Sequence, residues 1–222
     1  MLNKPNYYSN EYYGDRLGKE PDKRSRSFKL ESEFINKYIK RGTLIDIGCA
    51  TGEFLDALNW TGEKYGMEVS DYAINTAKKK GIRFDKDIFA GEELFDLIIF
   101  RGTIQHIDTP MYYIKQSFKA LKKGGYVVFL ATPNADSICY KLFGTLNFLA
   151  PHLNFYIPSE TTLPQILTNF GFKVIETRFP YLGSPYASPI KDHIKFILRC
   201  LGIKTNFAFW KSSIEIIAQK PL

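Results

Sequence analysis

Three groups of residues in this sequence are spaced for chemistry: carboxylates at the ends of apolar runs, a glycine-punctuated turn, and histidines beyond a later apolar run. The turn is Gly48-Cys49-Ala50-Thr51-Gly52, entered from Leu44-Ile45-Asp46-Ile47 and left through Phe54, Leu55 and Leu58. The entering run suits a buried parallel strand broken by one acid, Asp46, and the residues after the turn recur at helical spacing. Such a corner lets backbone N–H groups approach a ligand, and a helix N-terminus adds partial positive charge for a carboxylate or phosphate. A second short run, Lys64 to Val69, carries Glu68, twenty-two residues beyond Asp46. Two ribose hydroxyls can donate to one carboxylate, so Glu68 reads as a ribose clamp. The dinucleotide fingerprint would need a third glycine where this chain has Glu53, which weighs against a nicotinamide oxidoreductase.

Histidine can act as a general base near neutral pH, worth ~10²–10⁴-fold where a hydroxyl must lose a proton. His106 lies just past Phe95-Asp-Leu-Ile-Ile-Phe100 and is the first candidate base. His152, in an aromatic stretch, is the second, and His193 reads as a surface residue. Cys49, Cys139 and Cys200 are odd in number and lack metal or disulfide spacing, which predicts a reducing, cytoplasmic setting without zinc. Cys49 lies in the turn, where small size beside a ligand and a reactive thiolate are both open readings.

These residues need a scaffold, and the chain of 222 residues has length for one α/β domain with a modest cap. Residues 1–41 supply a tyrosine-rich N-terminal segment and a helix over 22–41 stopped by Gly42. A helix from Asp71 to Lys80 with Ser70 as N-cap leads to a third strand, Ile82–Phe84, and Phe95–Phe100 forms the fourth. Asp108 is expected to cap a helix with Met111, Ile114, Phe118 and Leu121 on one face, before strand Tyr126–Ala131. Residues 134–158 read as a substrate-side insertion, Ser159 opens a further helix, and Phe172–Phe179 makes the sixth strand. Residues 180–206 form a second excursion ending in an amphipathic helix with Ile190, Ile194, Ile197, Leu198 and Leu201. Packing of that helix on the domain is favoured over peripheral membrane contact. Ser213–Ala218 is the last strand, and no apolar run is long enough to predict a signal peptide or membrane span. The formal charge of +7 comes from scattered Lys and Arg, which suits an anionic acceptor or a solvated surface but does not indicate nucleic acid.

The segments Leu44–Gly52, Gly66–Ser70, Phe95–Ile99, Gln105–Pro110, Gly124–Val128, Thr132–Asn134 and Gly171–Ile175 are together similar to the class I S-adenosylmethionine-dependent methyltransferases. The resemblance is to the small-molecule branch that includes the ubiquinone-biosynthesis O-methyltransferases, with Ala50 standing where that family has a central glycine. It implies a Rossmann-like seven-stranded mostly parallel sheet with an antiparallel last strand between strands five and six, helices on both faces and a small cap. It implies S-adenosyl-L-methionine as cofactor, with Asp46, Gly48, Cys49, Ala50 and Gly52 at its amino-acid end and Glu68 and Val69 at its sugar. By the same resemblance Asp87, with Asp85 as competitor, takes the adenine amine, and the Ile88 N–H meets the ring. In the family, residues like 1–20 close as a lid, with a tail packed on the surface by its aromatics equally open here, and Arg26, or its neighbour Arg24, meets the methionine carboxylate. Ligands of open α/β sheets bind beyond the strands' carboxyl ends, so Arg101 and Gly102 should face the methyl group.

Relatives carry a glutamate where this chain has Gln105, and no acid follows until Asp108, so no metal is expected. Without a metal a catechol acceptor becomes less attractive, and sugar hydroxyls, sugar amines and nucleotide-linked sugars gain ground. The expected activity is O- or N-methyl transfer to a small molecule. The alternative is a catalytically inactive S-adenosylmethionine-binding regulatory or scaffolding protein.

Overall fold

The computed structural model describes residues 20–146, 149, 153–181, 183–206 and 210–222. The expected lid over residues 1–20 lies outside these except for Glu20, and His152 lies outside them altogether. Short apolar runs become strands: β1 (Leu44–Ile47), β2 (Lys64–Met67), β3 (Phe95–Arg101), β4 (Leu121–Pro133), β5 (Lys173–Arg178) and β6 (Ser213–Gln219). They pair in the order β2-β1-β3-β4-β6-β5. The first four are parallel neighbours, and β6 runs antiparallel to both β4 and β5. The last strand therefore sits where expected, and the carboxyl ends of β1 to β5 share one rim.

Among the described residues the sheet has six strands, not seven. The expected strand Ile82–Phe84 is reduced to a single bridge between Tyr65 and Arg83. Only three residues lie between Gly81 and Asp85, and the Arg83 side chain turns outward to Glu63 and Asp85. That leaves too little chain to extend the ladder.

Strand alternation sorts the core onto two faces. Leu44, Leu97 and Ile99 join Phe34 and Ile35 of α1 (Pro21–Asn36) and Phe54 and Leu55 of α2 (Glu53–Ala57). Ile45, Ile98 and Phe100 join the other cluster, with Ile114 of α4 (Pro110–Ala120) and Leu163 and Leu167 of α6 (Thr162–Asn169). Between these lie α3 (Asp71–Lys78), whose N-cap Ser70 accepts from the Ala73 N–H, and α5 (Ile138–Phe143). The second excursion carries α7 (Pro189–Cys200).

Two helices differ from their expected phase. Thr109, not Asp108, is the N-cap of α4, because Pro110 takes the first turn; the buried residues are Tyr113, Ile114, Ser117 and Ala120, and Met111 is exposed. In α7 the apolar residues Ile190, Ile194 and Ile197 are exposed, while Asp192 is buried.

Candidate active site

At the rim, β1 and β2 deliver their ends side by side, with Asp46 opposite Gly66 and Ile47 opposite Met67. The Gly48 N–H donates to the Met67 carbonyl at 2.7 Å, which turns the chain away from the sheet at once. Gly48 has φ +78°, and a Cβ there would meet the Thr103 side chain at 2.5 Å, so position and conformation both require glycine. Ala50 also adopts positive φ, +50°, the left-handed conformation that a glycine would hold with less strain.

The Glu68 carboxylate fastens the two strand ends together. Its Oε2 accepts from the Ala50 N–H at 3.0 Å, and its Oε1 from the N–H groups of Val69 at 2.8 Å and Ser70 at 3.1 Å. A carboxylate has about four acceptor positions, so one on Oε2 is left for a ligand hydroxyl.

Asp46 is 2% exposed, and its Oδ1 has no hydrogen-bond partner among the described residues. Burial pushes its carboxyl up to about 7, Glu68 and Glu31 push the same way, and Arg101 opposes. The Arg101 guanidinium grips Glu31 of α1 in a two-pronged pair at 2.6 and 3.1 Å and lies over the rings of Phe28 and Phe54. Burial pulls its pKa down, but Glu31, Asp46 and Glu215 outweigh that and raise it. Glu31 was not foreseen as part of this corner; an acid on the same helix face as Phe28 and Ile35 was its sequence signal.

Helix α2 is only five residues long and starts with the acids Glu53 and Asp56 in its first turn, so it adds little positive field. Nearby positive charges are Lys80, whose Nζ donates to the Thr51 carbonyl at 2.9 Å, and Arg24, half-buried and paired with Glu53 at 3.2 Å, whereas Arg26 is exposed. Cys49 is buried, and burial, then Asp46 and Glu68, raise its thiol pKa well above the ordinary value. That shift disfavours a thiolate and leaves small volume beside a ligand as the reading the burial supports.

Beyond β2, Asp85 is exposed and tied to Arg83, which lowers its pKa through their hydrogen bond. Asp87 is half-buried and accepts from the Phe89 N–H at 2.8 Å, with Ile88 fully buried between. Phe89 stacks on Tyr112 at 5.5 Å, which sets flat rings near that acid. This aromatic pair escaped the sequence reading because Tyr112 comes from a different element.

At the end of β3, Gly102 has φ +62° and turns the chain into Thr103 to His106. The Gln105 amide donates to the Gly102 carbonyl at 3.0 Å, and the same nitrogen lies 3.3 Å from His106 Nε2. His106 Nδ1 lies 3.1 Å from the Leu153 carbonyl, which can only accept. That fixes the proton on Nδ1 and leaves Nε2 as the basic nitrogen. The Phe155 N–H donates to the Gln105 carbonyl at 2.9 Å, stitching the insertion to this loop. Gln105 Oε1 is buried without a partner among the described residues. Among those residues no three His, Cys, Asp or Glu side chains gather to hold a metal ion.

An aminoacyl-nucleoside would fit this corner on its own chemistry. Asp46 offers an unsatisfied buried acceptor to an ammonium, Glu68 a partly free carboxylate to a sugar hydroxyl, and Asp87 an acceptor beside flat rings.

Comparison with known proteins places the same stretch in context. A family model for a methyltransferase domain matches residues 19–177. The chain is 25% identical over 135 residues to an uncharacterised protein of Methanocaldococcus jannaschii, covering 59% of this chain and 64% of that protein. It is 31% identical over 119 residues to a ubiquinone biosynthesis O-methyltransferase of Pelagibacter ubique, covering 49% and 48% of the two chains. The chain thus spans about half to two thirds of the length of these curated relatives. A crystal structure of a SAM-dependent methyltransferase from Thermotoga maritima superposes with a TM-score of 0.64, at 21% identity and with 96% of each chain covered.

Proposed function

Because this chain belongs to the methyltransferase-domain family, we propose that it is an S-adenosylmethionine-dependent methyltransferase acting on a small-molecule acceptor. The observation that carries this reading is the Glu68 carboxylate, which holds the Ala50 N–H of the glycine turn while keeping one acceptor position open at the tip of β2. When bound, the cofactor supplies a methyl group on a sulfonium, already a strong electrophile. The chain's own work is then chiefly alignment.

In this reading Asp46 and the Gly48–Gly52 turn receive the amino-acid end, and Arg24 serves its carboxylate in place of the exposed Arg26. Glu68 and Val69 receive the sugar, and Asp87 with Ile88 receives the base beside Phe89 and Tyr112. Arg101 anchors α1 above the corner and shares the field of Asp46. Gly102 to His106 edge the transfer position. His106 takes the acceptor proton on Nε2, with the Leu153 carbonyl steadying the ring from the other side. An acceptor hydroxyl reaching Nε2 displaces the Gln105 amide.

A small-molecule acceptor is supported by the likeness to the ubiquinone biosynthesis enzyme, which does not point to a sugar. Calorimetric titration tests the reading. S-adenosylhomocysteine should bind in the micromolar range or better and NAD should not; preference for NAD would reverse the assignment. Mass spectrometry of extracts incubated with labelled cofactor then identifies the acceptor.

A further inference from the structure

The second excursion docks through one side of α7 and leaves the other bare. Asp192 is 1% exposed and accepts from the Tyr181 hydroxyl at 3.0 Å and the Ser188 N–H at 3.1 Å. Phe196, one turn on, lies 5.1 Å from Trp210 and 6.1 Å from Phe143. These contacts fix the face that meets the cap.

On the opposite face Ile190, Ile194, Ile197 and Leu201 follow one another at helical spacing and form a single stripe. Their exposures are 78%, 52%, 58% and 72%, and Ile203 continues the stripe at 50%. A helix that turns its large aliphatic side chains outward has a partner surface to cover them. Lys191 borders the stripe and Lys204 follows it, both exposed. Lys195 is held by Asp192 at 3.3 Å, and Arg199 donates to the Thr205 carbonyl at 3.0 Å.

We infer that α7 is an in-plane anchor that lays this cap on the surface of an anionic lipid bilayer. The charge decides the occupant. A bilayer bearing acidic headgroups accepts both the aliphatic stripe and the bordering ammonium groups. A second copy of the chain would bring like charges together, in a molecule already at +7 with a pI near 9.1. At 12 residues the helix is about 18 Å long, too short to cross a hydrocarbon core, so it lies flat. No described helix is long and apolar enough to span a membrane.

The test is co-sedimentation of the full chain with vesicles of phosphatidylcholine alone and of phosphatidylcholine with about a third phosphatidylglycerol. Capture by the anionic vesicles only is expected, weakening as salt is raised. The double variant Ile194→Glu, Ile197→Glu should lower vesicle affinity by about tenfold or more, and Lys191→Glu, Lys204→Glu should act in the same direction. All four positions are exposed, so circular dichroism and S-adenosylhomocysteine affinity should stay at wild-type values. That control separates failure here from failure of the methyl-transfer reading. Equal capture by both vesicle types, no capture, or capture indifferent to the stripe variant would overturn the inference. So would a concentration-dependent dimer that the stripe variant dissociates, since it would assign the face to a second copy.

Discussion

Glu68 joins two strand ends through one carboxylate, so its removal acts on ligand and loop together. Glu68→Ala should weaken S-adenosylhomocysteine binding by roughly 1–3 kcal/mol, the range for losing a charged acceptor; titration calorimetry reads it, and unchanged affinity would remove Glu68 from the site. Ala50 bears strain that its neighbour Gly48 does not. Ala50→Gly should raise stability by up to about 1 kcal/mol, left-handed relief being partly offset by the entropy of glycine in the unfolded chain; urea midpoints decide it, and a lower midpoint refutes the strain. His106→Ala should cut turnover by ~10²-fold or more while cofactor affinity holds; full activity would exclude it as base. At this scale the structure brings Asp46 and Glu68, acids in short apolar runs, to one corner as the sequence suggested, whereas Glu31 carried no such signal. The choice of arginine was not legible. Arg24 and Arg26 differ only in helix phase, which α1 settles by burying Phe28 and Glu31.

Helix α1 is clamped to the sheet by charge as well as by apolar packing. Glu31 meets Arg101, and Arg178 meets Glu215, which is 2% exposed, as well as the Leu30 carbonyl at 3.1 Å. Three acids, Glu31, Asp46 and Glu215, thus share two arginines beneath one helix. Arg101→Met keeps much of the packing on Phe28 and Phe54 but leaves those acids undercompensated, so a loss of about 3 kcal/mol is expected. Denaturant unfolding measures it; a neutral result would mean the acids are satisfied without Arg101. Element existence was legible throughout β1 to β6 from apolar runs and turn residues. Facing was less so, because a stripe specifies that a helix has two sides and not which side packs. In α4 the proline start decided the phase, and in α7 the buried Asp192 did.

For the whole molecule, these acids set the pH dependence of stability. Burial raises Asp46 to about 7, and burial with Glu31 raises Glu215 to about 7 against Arg178. A carboxyl whose pKa rises on folding binds more protons in the native than in the unfolded state. Stability should therefore be greatest in mild acid, fall as pH rises from the ordinary carboxylate value of about 4 toward about 7, and level off above. Thermal melts from about pH 5 to pH 8 should show that fall, and Asp46→Asn should flatten it; a midpoint that rises over this window would contradict the burial argument. The sheet order itself was legible through the family resemblance, whereas the missing edge strand was a matter of three residues against an exposed arginine.

The position of β6 has a consequence for how the protein comes into being. It is buried along nearly its whole length and, among the described residues, is the only strand joining β5 to the rest of the sheet. On the ribosome the earlier strands must wait, with an apolar flank of β4 unpaired, until residues 213–219 have emerged. Pairing of residues 213–219 is thus the event that closes the architecture, and chains truncated before Ser213 should need a chaperone to remain soluble.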